Sequence, residues 1–415
     1  MPRIGLPRTR TRTRIGAAPG PLAALAALGL VLTTAVGCSS APSPSSSTAS
    51  AATKSVTTGC LAKAGVPLTI VVGERSNVPG IQYPAAVTSL VDTAATDRQQ
   101  ITLVRIDGRP KVFPVQRFST TDVSSGAIAQ DLSTYESGVF QILAGSDLHA
   151  TAPEADVLGA LSLAAAATPA GGNIVVIDSG LQTVSPLNYQ VPGMLMSPPG
   201  DVVKFLRAQN LIPGLRGRHV LLSGFGYAAA PQALLDQPER ENVAAQWAAI
   251  AAAGGACVSV DTTPNTTAET PGLPAVSKVP LPVTPHFKTC GTTVLSDAGS
   301  VGFNDGSASF RDPQAARSTL SRLASTLRRG AEPITLIGST STEGGDAINK
   351  PLSTRRAAAV KSVLVSFGVT GGRITVIGDG AHYPGRVPDV GPNGQLLLPE
   401  AEQDREVIVQ LPRCQ

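Results

Sequence analysis

One arginine lies where a charged side chain is unusual, on the apolar stripe of a predicted helix. Arg356 falls in the same helical spacing as Val360 and Leu364. A charged group on a buried stripe is costly unless it has a partner. Because Arg356 lies near the helix start, beside a glycine-rich loop, its planar fork of donors can face a cleft and bind a carboxylate. The sequence therefore predicts an anion-binding arginine. The alternative is an internal salt bridge to Asp379 or Asp404.

The loop before this helix, residues 338–348, carries polar groups that could line the same cleft. The candidates are Thr340, Ser341, Glu343, Asp346 and the predicted helix cap Asn349. Hydroxyl and amide groups can hydrogen-bond a polar ligand, and the two carboxylates could neutralise a cationic one. Each carboxylate has a plainer alternative, an ordinary solvated loop side chain. Arg355, next to Arg356, points elsewhere on the helix and is expected to be solvated.

The sequence contains no motif for catalysis or metal binding. It has no Gly-x-Ser-x-Gly, no His-Glu-x-x-His, no phosphate-cradling loop and no Cys-x-x-Cys pair. The histidines are scattered, at His149, His219, His286 and His382. We therefore predict a protein that is not an enzyme, has no cofactor and holds no structural metal.

The net charge of +4 arises at the N-terminus. Five of the 33 basic residues are arginines that precede every other charged residue, and without them 28 basic residues face 29 acidic ones. Aromatic residues make up only 4% of the chain. Neither the charge nor the aromatic content supports a nucleic-acid partner.

Two regions of regular structure must position these residues. In the N-terminal region, residues 59–263, apolar runs predict strands at Leu68–Val72, Ile101–Ile106, Lys111–Phe118, Asn173–Ile177, His219–Ser223 and Cys257–Val260. Helical patterns lie between them, at Ala85–Ala95, Glu154–Ala167, Asp201–Gln209 and Arg240–Ala253. Turn residues at 107–110 predict a hairpin of the second and third strands. The remainder is typical of βα units around a doubly wound, mostly parallel α/β sheet.

This strand order, with one antiparallel edge strand, resembles the von Willebrand factor A domain. The phrase at 175–180 (VVIDSG) is similar to that family's fourth strand and its Asp-containing loop. The resemblance implies a metal site to which Thr151 and Asp178 could contribute. However, the family's Asp-x-Ser-x-Ser loop is replaced by GERSN at 73–77, which lacks the first ligand and adds the charge of Arg75. We therefore expect no metal here and a surface that binds another envelope protein. The alternative is a different doubly wound fold with the same strand order.

The C-terminal region, residues 287–415, shows a βαβαββ pattern. Val301–Ala308 is expected to end the first strand, and Asp312 to cap the first helix. Later strands are predicted at Ile334–Ile337, Arg373–Ile377 and Glu406–Leu411. The helix that carries Arg356 lies between the first two of these.

This C-terminal α+β pattern resembles the OmpA-like peptidoglycan-binding domain. The matching phrases are Gly338-x-Thr340, Glu343-Gly344, Asn349-x-x-Leu352-Ser353-x-x-Arg356-Ala357, Gly368-Val369, Arg373-Ile374, Gly378-x-Gly380 and Arg405-x-Val407. The resemblance implies that Arg356 binds the carboxylate of diaminopimelate in the wall's stem peptide, while a loop Asp binds its ammonium. That Asp falls on Ser341 here, and Glu406 stands where the family usually has a second Arg.

Ser341 leaves two functions open. A hydroxyl can hydrogen-bond an ammonium but cannot neutralise it, and Glu343 or Asp346 could supply the missing charge. On the first hypothesis the protein binds peptidoglycan non-covalently. On the second hypothesis it is an interaction scaffold whose OmpA-like domain has lost wall binding.

The N-terminus resembles a bacterial lipoprotein signal. Arginines precede an apolar core, Leu22–Ala35, that is short for a membrane-spanning helix. The following Ala-Val-Gly-Cys is similar to the lipoprotein cleavage box, although Ala35 stands where Leu is usual. The resemblance implies a signal peptide over 1–37 and a lipid on Cys38 that anchors the protein to a membrane of the cell envelope. A plain secretory signal is the alternative.

Two further segments are predicted to be extended. Residues 38–58 are rich in Ser, Thr and Pro and predict a tether, and residues 264–286 are rich in Pro and predict a spacer between the regions.

Four cysteines remain beyond Cys38. They are Cys60, Cys257, Cys290 and Cys414, and an even number in an exported chain indicates two disulfides among three possible pairings. In the OmpA-like family the first and last strands are antiparallel neighbours. The resemblance therefore implies Cys290–Cys414, which leaves Cys60 to pair with Cys257.

Overall fold

The computed structural model describes Cys60, residues 62–282 and residues 285–414. The predicted signal peptide, Cys38 and the tether lie outside the described residues. Within the described ranges, none of the helices combines the length and apolar character needed to cross a bilayer.

The N-terminal region is a six-stranded sheet between two layers of helices. The strands are β1 (Leu68–Val72), β2 (Ile101–Arg105), β3 (Lys111–Pro114), β4 (Asn173–Ile177), β5 (His219–Ser223) and β6 (Cys257–Asp261). The helices are α1 (Ala85–Thr96), α2 (Ser125–Leu143), α3 (Val157–Ala167), α4 (Pro199–Ala208) and α5 (Gln237–Ala253). Side chains alternate along β1, so Val71 packs with α3 to α5 while Ile70 packs with α1 and α2.

The predicted sheet and its hairpin are confirmed. The strand order is β3-β2-β1-β4-β5-β6, with every pairing parallel except that of β2 with β3. In the turn, the Asp107 carboxylate accepts a hydrogen bond from the Arg109 amide at 2.8 Å. The strand β3 ends at Pro114, earlier than the predicted Phe118.

Helix α2, the longest of this region, is not among the predicted elements. The Ser124 side chain caps it by accepting a hydrogen bond from the Ala127 amide, and Tyr135, Val139 and Leu143 form its buried stripe. Much of the helix is polar or small, so its helical propensity is weak. The signal in the sequence is the cap together with the four-residue spacing of that stripe.

The C-terminal region has the predicted βαβαββ order with one added short helix. Its strands are β7 (Thr292–Ser296), β8 (Ile334–Ser339), β9 (Ile374–Gly380) and β10 (Glu406–Gln410). Its helices are α6 (Pro313–Leu327), α7 (Asp346–Ser366) and α8 (Leu398–Gln403). The sheet order is β7-β10-β8-β9, in which β10 is antiparallel to both neighbours and β8 is parallel to β9. Apolar side chains of α6 and α7 cover one face of this sheet.

The first strand of this region lies earlier than predicted. Residues 301–308 form a loop that follows β7, and Asp297 holds the loop by accepting a hydrogen bond from the Phe303 amide at 2.8 Å. Val301 and Phe303 are buried, and the Phe303 ring stacks on Phe310 with 5.0 Å between centroids. The burial of loop side chains explains why the apolar pattern suggested a strand.

The segment 264–282 differs from the predicted spacer because it packs along the N-terminal region. Gln232, which is buried, makes two hydrogen bonds to the backbone of Val279, at 2.7 and 3.0 Å. From the C-terminal region, Leu398 of α8 is fully buried within the hydrophobic core of the N-terminal region. The two regions therefore share an interface.

Both predicted disulfides are present. Cys60 is bonded to Cys257, with 5.5 Å between Cα atoms, and Cys290 to Cys414, with 5.1 Å. The second bond joins the segments beside the antiparallel neighbours β7 and β10, as the family's sheet implied.

Candidate ligand-binding site

Arg356 is a buried cation that forms no ion pair with an acidic side chain among the residues that the structure describes. Its side chain lies on the core-facing side of α7, and the residue is 5% exposed. The Nε atom donates to the Ser307 carbonyl at 2.9 Å and Nη2 to the Asn304 carbonyl at 3.5 Å, while the guanidinium lies 5.1 Å from the Phe303 ring centroid. The loop that was predicted as a strand thus wraps this side chain. Burial lowers the pKa of the Arg356 guanidinium below its ordinary value.

The predicted alternative, an internal salt bridge, is not formed within the described part of the chain. Asp404 instead accepts a hydrogen bond from Arg386 at 3.0 Å, and Asp379 makes no ion pair with Arg356. Two of the five N–H donors of the guanidinium are used, both on carbonyl oxygens. Among the described residues, the hydrogen-bond partners of this guanidinium are therefore backbone carbonyls and not carboxylates.

The loop after β8 brings two hydroxyls to the N-terminal end of α7. Thr340 and Ser341 are both buried, and the Oγ1 atom of Thr340 has no hydrogen-bond partner among the described residues. Asn349 lies inside α7 rather than at its cap, and its Nδ2 donates to the Ser341 carbonyl at 3.0 Å. This bond ties the loop to the helix that carries Arg356.

Close packing of α7 on the sheet explains the glycine at the start of this loop. A Cβ on Gly338 would lie 2.1 Å from the Ser353 carbonyl oxygen, so only glycine fits. On the next strand, the Gly380 amide donates to the Ser353 hydroxyl at 3.0 Å. These contacts fix the register of α7 on β8 and β9, and they place Arg356 one turn further along the helix.

Asp389 holds the loop through hydrogen bonds to Thr342, although it is not among the site residues predicted from the sequence. This fully buried carboxylate accepts hydrogen bonds from the Thr342 amide at 2.7 Å and the Thr342 hydroxyl at 2.9 Å. It also binds Arg386, which reaches Asp404. Asp389 lies 47 residues from Thr342 in a long irregular segment, so no local pattern links the two.

The two loop carboxylates are already engaged. Glu343 binds Lys204 of the N-terminal region at 2.6 Å and Arg405 at 3.4 Å, and the exposed Asp346 lies 2.7 Å from His382. The structure thus brings the loop of Thr340 and Ser341 against Asn349 of α7, while Glu343 and Asp346 are paired with other side chains.

The candidate metal-site residues of the N-terminal region are bound to other protein groups. The Thr151 amide donates to Asp107 at 3.0 Å, whereas Asp178 binds Arg75 at 2.9 Å in a pair with no exposed side-chain surface. Gly73 offers no side-chain ligand. Across the described residues, no three His, Cys, Asp or Glu side chains are grouped so that they could hold a metal ion.

Comparison with known proteins gives a short match to a curated protein. An 80-residue alignment is 35% identical to the photosystem I P700 chlorophyll a apoprotein A2 of Gloeobacter violaceus. The alignment covers 19% of this chain and spans 9% of the length of that protein. It carries no argument about the site.

Solved structures that resemble part of the chain have low identity to it. The periplasmic domain of Helicobacter pylori MotB has 16% identity and a TM-score of 0.25, over 32% of this chain and 82% of that one. The peptidoglycan-associated lipoprotein from Burkholderia pseudomallei has 22% identity and a TM-score of 0.22, over 26% and 86%. An outer membrane protein from Borrelia burgdorferi has 16% identity and a TM-score of 0.22, over 31% and 96%. With TM-scores below 0.5, these likenesses carry no functional argument.

A family model described as the OmpA family matches residues 302–389. The matched range contains the loop around Arg356, the loop after β8, all of α7 and the supporting Asp389. It ends before β10, so Arg405 lies outside it. The C-terminal region therefore contains an OmpA-like domain, and the candidate site lies within the part that matches the family.

Proposed function

We propose that this protein is a cell-envelope protein that binds peptidoglycan non-covalently through its OmpA-like domain. The observation that carries the proposal is Arg356, a buried guanidinium with no carboxylate partner among the described residues. It lies on α7, the helix to which Asn349 ties the loop of Thr340 and Ser341. A buried cation of this kind is stabilised by an anionic ligand that replaces the lost water. The ligand we propose is a diaminopimelate-type stem peptide, whose free end carries a carboxylate and an ammonium.

The roles of the side chains follow from their chemistry. Arg356 binds the carboxylate with donors that the carbonyls of Ser307 and Asn304 do not use. The hydroxyls of Ser341 and Thr340 accept hydrogen bonds from the ammonium. Asn349 holds the loop on α7 through the Ser341 carbonyl. Glu343 and Asp346 do not contact the ligand, because Glu343 is paired with Lys204 and Asp346 with the imidazole of His382.

The rest of the chain fits a protein held at the envelope. We propose a lipid on Cys38 as the membrane anchor, residues 38–58 as the tether and the von Willebrand factor A-like N-terminal region as a surface for another envelope protein. Nothing in this arrangement requires a catalytic step. The protein is therefore proposed to link the membrane to the wall rather than to modify the wall.

The test is co-sedimentation of the full chain with purified peptidoglycan. Arg356→Met should bind at least about tenfold more weakly, because a charge-assisted hydrogen bond contributes roughly 1.5–3 kcal/mol. Arg355→Met is the matched control, since Arg355 is the exposed neighbour on the same helix. Equal binding by the parent and a folded Arg356→Met would refute the site.

A second candidate function follows from Ser341. The replacement of the family's acid by a hydroxyl, together with the pairing of Glu343 and Asp346, favours a scaffold whose OmpA-like domain does not bind the wall. In that case the parent chain itself would fail to sediment with peptidoglycan at near-physiological salt.

A further inference from the structure

Four charged side chains form a closed ring across the boundary between the two regions. Asp201 and Lys204 come from α4 of the N-terminal region, and Glu343 and Arg405 come from the C-terminal region. The distances are 2.6 Å for Lys204–Glu343, 3.4 Å for Glu343–Arg405, 2.6 Å for Arg405–Asp201 and 3.6 Å for Asp201–Lys204. Because the signs alternate, every contact in this charge ring is attractive.

The charge ring reaches the ligand site through Glu343, which lies two residues after Ser341. The next residues, Gly344 and Gly345, have φ angles of +92° and +68°, a region that glycine enters without strain. The two glycines allow the backbone of this loop to adopt several conformations. Contacts from outside the loop must fix its path. They include the Asn349 amide on the Ser341 carbonyl, the Asp389 carboxylate on Thr342 and the charge ring at Glu343.

The two halves of the charge ring contribute differently. Asp201 and Arg405 form a buried pair, with side chains 1% and 8% exposed, at the interface between the regions. Lys204 is 62% exposed on the outside of the ring. An exposed ion pair contributes little to global stability. The effect of Lys204 is therefore local: it holds Glu343 and, with it, the loop that carries Ser341.

We propose that Lys204 is a positioning residue for the wall-binding site, through which the N-terminal region holds the loop of the OmpA-like domain in its ligand-binding conformation. This rests on the proposed function, because it takes a stem peptide as the ligand. One consequence concerns Glu343, whose carboxylate is bound to Lys204 and does not contact the ammonium of the ligand.

The test is a double-mutant cycle on the full chain, with affinity for a soluble diaminopimelate-containing muropeptide measured by calorimetry. Lys204→Ala and Glu343→Gln should each weaken binding about two- to fivefold, the range expected for an exposed ion pair. The double variant should bind no more weakly than either single variant. Lys204→Arg should retain the affinity of the parent. Arg207→Ala is the matched control, since Arg207 is exposed one turn further along α4 and makes no ion pair within the described residues.

The parent chain separates this proposal from the proposed function. Failure of the parent to bind the muropeptide would overturn both. If the parent binds and Lys204→Ala binds equally well, the positioning role alone is wrong. Tighter binding by Lys204→Ala would also overturn it, because Lys204 would then compete with the ligand for Glu343. Equal weakening by Arg207→Ala would point to a non-specific effect of charge. Melting curves that match the parent would establish that each variant is folded.

Discussion

Two buried arginines, one in each region, have opposite surroundings. Arg75 is 1% exposed, and its Nη2 binds Asp178 at 2.9 Å and Ser179 at 3.2 Å. Arg356 is 5% exposed and has only backbone carbonyls as hydrogen-bond partners in the described residues. The charge of a buried arginine that is paired with a carboxylate is already neutralised by the protein. The charge of an unpaired buried arginine is not, so an anionic ligand could neutralise it. The partners of an arginine, more than its burial, therefore distinguish a structural from a ligand-binding role.

Arg75 also lies at the edge of the sheet where a ligand would be expected. The strand order reverses between β1 and β4, and open α/β sheets bind ligands outside the carboxyl ends of the strands at such a point. Here that place holds the Arg75–Asp178 pair. Beside it, the Glu269 carboxylate of the segment 264–282 accepts a hydrogen bond from the Asn77 amide at 3.2 Å. Side chains of the N-terminal region itself therefore occupy the position at which such sheets usually bind a ligand.

The largest expected effect is on stability, and it separates the two arginines. Arg75→Met leaves Asp178 as an uncompensated buried charge and should reduce the free energy of unfolding by about 3–5 kcal/mol. Arg356→Met removes an unpaired cation and should change it by no more than about 1 kcal/mol. Urea denaturation of both variants measures the difference. Equal destabilisation would mean that Arg356 is also a structural residue.

A smaller effect is expected when the missing loop acid is restored. Ser341→Asp places a carboxylate where the ammonium of the ligand is proposed to lie, and it should tighten binding to peptidoglycan about tenfold through a charge-assisted hydrogen bond. The exposed Thr354→Asp on α7 tests whether any added negative charge has the same effect. Weaker binding by Ser341→Asp would show that the loop holds its ligand differently.

Local patterns predicted most of the fold. Continuous apolar runs located β1, β2 and β4 because those strands are buried on both faces. Helix α2 was missed because its stripe is sparse, and residues 301–308 were misassigned because loop side chains can be as buried as strand side chains.

The site was predictable only in part. The spacing of Ser341, Asn349 and Arg356 within one loop and helix is visible in the sequence. The contacts of Thr342 with Asp389 and of Glu343 with Lys204 join positions 47 and 139 residues apart, and only the fold brings these together. The pairing state of Arg75 and Arg356, on which the comparison rests, is likewise a property of the folded chain.

A third effect concerns Glu406, which makes no ion pair in the described residues. Burial and repulsion from Asp404 raise the pKa of Glu406 from 4.5 to about 7. The folded state therefore holds a proton that the unfolded state releases between these values, so this group makes stability fall as the pH rises from 4.5 to about 7. Glu406→Gln should reduce the fall in melting temperature across that range, while the exposed Glu332→Gln should not. An unchanged pH profile in Glu406→Gln would contradict this interpretation of its surroundings.

The central claim is that Arg356 is unpaired because it binds the carboxylate of a wall peptide. Calorimetry with two soluble muropeptides, one with the free carboxylate of diaminopimelate and one with that carboxylate amidated, tests this directly. The parent chain should bind the free acid at least about tenfold more tightly than the amide. Arg356→Met should bind both equally weakly. Equal affinity of the parent chain for the two muropeptides would contradict the claim.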